Sequence, residues 1–284
     1  MFQFWKKWRI RRDASMTPGN LVTTKIVDRV FDQYSKSVPS DQNAIDALPG
    51  WNSAFPAEAG VTAGTHPLFA DGRIEWALAQ FGSIEGRKLL EIGPLEGMHT
   101  YMLDRQRPAR IDAVEANQLC FLRCLVTKQI LQLNSAHFYL GDAQRWLEEQ
   151  EIRYDLTIAS GVLYHMHEPA EFLVQLARRT DSVFIWTHFF LDEVMPEGDV
   201  RRLPFSGKVE RRVVNDVPVR YYERGYFSAN SNKSFCGGMR DRHYWMHRDD
   251  ILQLLRSLGF QRLEIAHEEL DHSGGPCFCL FAQR

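Results

Sequence analysis

The chain has 284 residues, with 34 Lys/Arg against 36 Asp/Glu and a formal net charge of -2. That balance excludes a globally basic nucleic-acid binder, though it leaves room for a local patch. With 44% hydrophobic and 25% charged residues the chain reads as globular, and no apolar run is long enough to span a bilayer. Five cysteines, an odd number with no repeated C-x-x-C, imply free thiols in a reducing compartment, hence a cytoplasmic protein.

In chain order, residues 1–12 come first, with five basic residues, no acid, and Phe2, Phe4, Trp5, Trp8 and Ile10 interleaved. The segment lacks the continuous apolar stretch of a secretory signal. It reads as an N-terminal helix that docks or frays, or as one making peripheral membrane contact. Residues 20–75 read as an irregular extension with one helix near 20–34. A helix over 71–82 follows, with Asp71 as its cap and an apolar side at Ile74, Trp76, Ala77, Leu78 and Phe81.

From residue 86 strands and helices alternate. Strands are expected at 88–93, 110–115, 136–140, 154–160 and 182–189, with helices at 99–105, 117–132, 143–150 and 168–179. This spacing implies right-handed β-α-β units and a parallel sheet. Residues 190–246 then break the pattern, with ten Lys/Arg, eight Asp/Glu and many aromatic and glycine residues. They are expected to form an insertion over the substrate side of the sheet. A helix at 247–258 and two strands near 261–267 and 276–282 end the chain, the last two as an antiparallel hairpin at the sheet edge. The domain division is an extension over 1–85 and an α/β domain over 86–284.

Chemistry concentrates at the carboxyl ends of these strands, where open parallel sheets bind ligands. Leu90-Glu-Ile-Gly-Pro-Leu-Glu-Gly97 follows the first strand. Its glycines let the backbone turn and approach a ligand. A dinucleotide fingerprint is excluded, because Leu95 replaces its second glycine and Glu96 would repel a pyrophosphate. Glu115 ends the second strand, where it can accept both hydrogen bonds of a ribose diol. Asp142 follows the third, placed either to accept from an adenine amino group or to cap a helix. A cationic or zwitterionic adenosine ligand suits this set.

At these residues the chain resembles the class I S-adenosylmethionine-dependent methyltransferases, over 86–190 in detail and over 247–282 in pattern. Their E/D-x-G-x-G-x-G loop stands here as Glu91 to Gly97, departing at Pro94 and Leu95. The resemblance implies a Rossmann-like, doubly wound, mostly parallel seven-stranded sheet. It implies S-adenosylmethionine as cofactor, held by Glu91, Gly93, Pro94, Glu96 and Gly97 at the methionine part, Glu115 at the ribose, and Asp142 and Ala143 at the adenine. Ser160 and Gly161 would line the methyl-donor side. Gly161-Val-Leu-Tyr-His165, with Pro169, also resembles the tRNA wobble-uridine carboxymethyltransferases, which use carboxy-S-adenosylmethionine. In them a Tyr equivalent to Tyr164 helps bind the extra carboxylate, together with a Lys in the extension and a distant Arg. No Lys stands between Lys36 and Lys88, and Arg220, Arg224, Arg240 and Arg242 are candidates for the Arg.

Methyl transfer to a hydroxyl gains from alignment and a general base. His165 and His188 are the candidate bases, with Tyr164 beside the transferred methyl, and His167, His243 and His247 are further histidines near the same edge. No His/Cys/acid spacing matches a metal motif, and no metal is expected. Cys277 and Cys279 read as core, as do Cys120 and Cys124. The leading expectation is a methyltransferase acting at oxygen on a small-molecule or glycan acceptor. Its alternatives are a tRNA wobble-uridine methyl- or carboxymethyltransferase and a non-catalytic binding module.

Overall fold

A computed structural model describes residues 34–226, 229–231 and 235–284. The basic–aromatic segment 1–12 and the helix expected near 20–34 fall outside the described residues, Tyr34 excepted. Residues 44–284 form one compact unit, distinct from residues 1–43. A short helix, Asp41–Asp46 (α1), spans this boundary.

Among the described residues, ten strands form two sheets. In the larger, β1 (Lys88–Ile92), β2 (Arg110–Glu115), β3 (Ala136–Leu140), β4 (Leu156–Ser160), β5 (Ser182–His188), β9 (Arg262–Glu269) and β10 (Cys277–Gln283) lie in the order β3-β2-β1-β4-β5-β10-β9. The first five are parallel, and β10 runs antiparallel to both β5 and β9. The hairpin is therefore at the edge, as expected, with β9 outermost. The central strands are buried on both faces, which explains why they read as unbroken apolar runs rather than alternating ones.

Helices α2 (Gly72–Phe81) and α3 (Met98–Asp104) cover one face, where Ile74, Ala77 and Leu103 meet Leu89, Ile111 and Phe281. On the other face Leu147, Leu173 and Leu255, from α5 (Ala143–Glu149), α6 (Pro169–Arg179) and α7 (Arg248–Ser257), meet Leu90, Val114 and Leu280. Helix α4 (Gln118–Leu131) follows β2. Side chains cap four of these helices. Asp71 accepts from Arg73 N, Asn117 from Leu119 N, Asp142 from Gln144 N and His247 from Asp249 N. Each cap satisfies an N–H with no partner inside its helix.

The insertion is more regular than the sequence suggested. β6 (Phe205–Val214), β7 (Val217–Arg224) and β8 (His243–Met246) form an antiparallel sheet. Asn215 and Asp216, at φ 50° and 62°, make the two-residue left-handed turn that suits the twist of a hairpin. Most of β6 is exposed on both faces, so it carries no apolar alternation to read. Nor does this sheet roof the substrate side as expected. Val219, Tyr221 and Tyr244 join the core beside α6 and α7, and Tyr222 and Trp245 pack with Phe190 and Met195. Among the described residues of the insertion, only Phe235 to Arg240 reaches the cavity described next.

Candidate active site

The carboxyl ends of β1 to β4 surround a cavity of about 590 Å³, placed where strand order reverses between β1 and β4. Gly93, Glu115, Asp142, Ala143, Ser160, Gly161, Tyr164 and His165 all line it. Residues scattered over 73 positions of sequence thus meet around one space.

The glycine loop forms its floor. Gly93 has φ +66°, and a Cβ there would stand 3.1 Å from Val162 Cγ2. Leu95 also takes a left-handed conformation, φ +58°. Such a conformation costs a non-glycine residue about 1–2 kcal/mol. It aims Leu95 N–H at Glu115 Oε2, 3.1 Å away, while Oε1 accepts from Asn117 N at 2.8 Å. The loop so keeps a left-handed turn without the glycine its pattern calls for. Each carboxylate oxygen of Glu115 retains a second lone pair for a ligand. Burial raises the Glu115 carboxyl above its ordinary value, and the backbone hydrogen bonds only partly oppose this. Asp142 Oδ1 caps α5 at 2.8 Å, and the residue also lines the cavity.

Four expected donor-site residues lie elsewhere. Glu96 is fully buried and turned away from the cavity. It accepts from Asn52 N and Ser53 N, each at 2.8 Å, and pairs with Arg123 at 3.4 Å. It ties residues 52–53 to the loop instead of facing a ligand. Gly97 has φ +78°, and a Cβ there would press on Thr127 and Phe138, so it serves helix packing. Pro94 is not part of the lining. Glu91 lies under the loop, where burial pushes its carboxyl up to about 7 against an opposing hydrogen bond from Thr100.

His188 also sits outside the lining. Its Nδ1 bonds to the Gly275 carbonyl at 2.8 Å, and its ring stacks on Trp245 at 5.0 Å, behind Tyr164. His188 therefore does not line the cavity where the expected base would stand. His165 does line the cavity. Burial, then His243, Arg224 and His188, hold it well below the usual imidazole value. Its Nδ1 bonds to the Tyr226 hydroxyl, which also accepts from Gly238 N at 2.7 Å. Tyr164, whose ring packs among His165, His188 and Trp186, presents a hydroxyl with no hydrogen-bond partner among the described residues. Burial raises it above the ordinary phenol value.

The sequence reading missed Arg73, His99 and Trp186 as lining residues, whereas Cys236 and Gly238 belong to the insertion expected over the substrate side and do line the cavity. Arg73 and His99 both bond to Asp71. Burial raises the Asp71 carboxyl, but hydrogen bonds from His99 and Arg73 outweigh it and hold the group well below the carboxylate range. Arg73, in the first turn of α2 and in a lysine-free stretch, was the available signal. Gly238 is forced by sterics: a Cβ there would stand 2.5 Å from the His165 carbonyl oxygen. Gly238→Ala is expected to push the 235–240 segment off His165 and lower turnover roughly tenfold or more with little change in global melting. Steady-state kinetics beside a thermal melt would check it.

No protein-family model matches the chain. A tRNA U34 carboxymethyltransferase of Alteromonas mediterranea is 25% identical over 130 residues, 44% of this chain and 38% of that protein, so the match spans well under half of that relative. Among solved structures, the N-terminal domain of EvdMO1 with SAH bound is 22% identical at a TM-score of 0.63, over 86% of this chain and 94% of that one. A 1,6-didemethyltoxoflavin-N1-methyltransferase of Burkholderia thailandensis, holding that compound and S-adenosylhomocysteine, is 14% identical at a TM-score of 0.50, covering 77% and 78%. Sheet order, helical layers and these neighbours agree: the chain has the Rossmann-like fold of the class I S-adenosylmethionine-dependent methyltransferases.

Proposed function

We propose that the chain is an S-adenosylmethionine-dependent methyltransferase that transfers a methyl group to a hydroxyl of a small-molecule or glycan acceptor. The observation that carries this is the convergence of the Gly93 loop, Glu115, Asp142 and the Ser160–His165 segment on one cavity at the strand-order switch. The residues fit the donor. Glu115 offers two oxygens to the ribose diol, Asp142 an oxygen to the adenine amino group, and the loop backbone lets the methionine part approach. The donor supplies a sulfonium-bound methyl open to in-line attack. Cations at the mouth come from Arg240, and Arg73 is already paired with Asp71.

His165 is the candidate base. Tyr226 holds its Nδ1, which leaves Nε2 as the ring nitrogen without a partner among the described residues. Because its value lies below 6.5, the imidazole stays unprotonated as pH falls through that point. The acid limb of kcat/KM is therefore expected below pH 6.5, where an ordinary histidine would already have lost activity. A pH–rate profile with a break at or above 6.5 would remove His165 from the role. The sugar-like acceptor class draws support from the aromatic lining at Tyr164, Trp186 and Phe235 and from the EvdMO1 domain crystallised in the presence of D-fucose, 21% identical.

Calorimetry with S-adenosylmethionine, its demethylated product and the carboxylated donor tests the reading. Tight binding of the plain donor and product supports it. Preference for the carboxylated donor favours the second reading, a tRNA wobble-uridine carboxymethyltransferase, which rests on the 130-residue match and the Gly161–His165 segment. Binding of none favours a non-catalytic module.

A further inference from the structure

His188, withdrawn from the cavity, belongs to a second group of side chains. Cys277 opens β10 and stands directly across the ladder from His188, the last residue of β5. Directly opposed residues share a face, so thiol and imidazole lie on the same side of the sheet. His272 enters from the loop between β9 and β10, its ring centroid 5.1 Å from that of His188. One ligand atom from each of the three lies within 4.8 Å of the other two. His188 and Cys277 are buried, and His272 is half-buried.

Local structure prepares each group. The Gly275 carbonyl can only accept, so His188 Nδ1 carries the proton and Nε2 keeps the lone pair. That is the tautomer a metal ion takes when backbone fixes the other nitrogen. Cys277 is buried at the start of β10 on the sheet face it shares with His188, and burial pushes its thiol up to about 11, so binding must displace that proton. The loop is shaped to deliver His272. A Cβ at Gly274 would stand 3.3 Å from the His272 ring and 3.4 Å from His188 Cε1. At Gly275, φ +118°, it would stand 2.6 Å from the Trp245 ring. A side chain at Gly274 would crowd both imidazoles by a few tenths of an ångström, and one at Gly275 would clash with Trp245.

We propose that His188, His272 and Cys277 bind one thiophilic divalent cation, best matched by Zn(II), with solvent at a fourth position. Two imidazoles and one thiolate suit a borderline-soft tetrahedral ion, and the lack of carboxylates disfavours Mg(II) and Ca(II). Binding replaces the Cys277 S–H bond with a metal–sulfur bond and releases the proton to solvent. At His272 it exchanges an exposed hydrogen bond, from Gly274 N to Nδ1 at 3.0 Å, for a metal bond, and that N–H returns to water. The ion clips the β9–β10 loop to the end of β5 and fixes the ring against which Tyr164 packs, 4.8 Å away between centroids. The site stands apart from donor binding and does not depend on the methyl-transfer reading.

The test uses the full chain, stripped with a chelator under reducing conditions and titrated with Co(II). One equivalent is expected, giving the visible bands of a tetrahedral ion and a near-ultraviolet thiolate-to-cobalt band, both abolished by Zn(II). Cys277→Ser should lose the thiolate band while far-UV circular dichroism stays native. His272→Ala, on the half-exposed loop, should weaken Zn(II) roughly tenfold or more against a chromophoric chelator. Cys236→Ser should change neither. Sub-stoichiometric uptake, a thiolate band that survives Cys277→Ser, or unchanged Zn(II) affinity in His272→Ala would overturn the proposal.

Discussion

Glu96→Ala should cost the fold roughly 3–5 kcal/mol, the largest stability loss expected of any single change near the cavity. Glu96 and Arg123 are both almost wholly buried, at 0% and 1% exposure. Removing the carboxylate takes the opposite charge from a buried guanidinium and leaves it neutral partners such as the Pro49 carbonyl. It also leaves the Asn52 and Ser53 amides without their acceptor. Those amides hold residues 52–53 against the loop, where Phe55 and Phe69 pack with Met98. Urea denaturation followed by circular dichroism measures the loss. A change under about 1 kcal/mol would show that the pair is replaceable. Glu96→Gln keeps an acceptor for only one of the two amides and should fall between the variant and the parent.

Glu115→Ala should weaken donor binding by about 2–3 kcal/mol, roughly 30- to 150-fold in Kd. The carboxylate does two jobs at once. It accepts Leu95 N–H, which holds the loop in its left-handed turn, and it faces the cavity where a ribose diol would sit. Calorimetry should show equal losses for S-adenosylmethionine and its demethylated product, because the ribose is common to both. A loss confined to the sulfonium form would move Glu115 to the methionine end, and unchanged affinity for both would remove it from the site. Asp142→Ala should cost less affinity, and part of its effect should appear as a lost cap on α5.

The sheet was legible because its strands are local and chemically loud. Lys88–Ile92 and Leu156–Ser160 are short apolar runs closed by glycine or serine, and α6 carries an apolar stripe. Their boundaries fell within two residues of those observed. β6 was not legible, since Lys208 and Arg211 face solvent, the half-buried Glu210 and Arg212 are charged, and the ladder to β7 sets the strand. Asn215-Asp216 was the one local clue. Within the site, Glu115 and Asp142 were legible because the ends of parallel strands share one edge. Glu96 was misread because adjacent residues of a loop can face opposite ways. Its neighbour Leu95 lines the cavity while Glu96 turns to backbone 43 and 44 residues away in sequence.

Sequence alone determined the order of strands and helices, the glycine turn after β1 and the acids that end β2 and begin α5. These follow from local periodicity, capping and the turn preferences of glycine. Tertiary structure decided which of two adjacent histidine layers meets the cavity, bringing His165 in and setting His188 against Trp245 and Cys277. It also brought Arg73 and Gly238 to the rim from opposite ends of the chain. Burial and contact between distant segments fix such choices, and a side chain's partner across a sheet is written in no stretch of its own sequence.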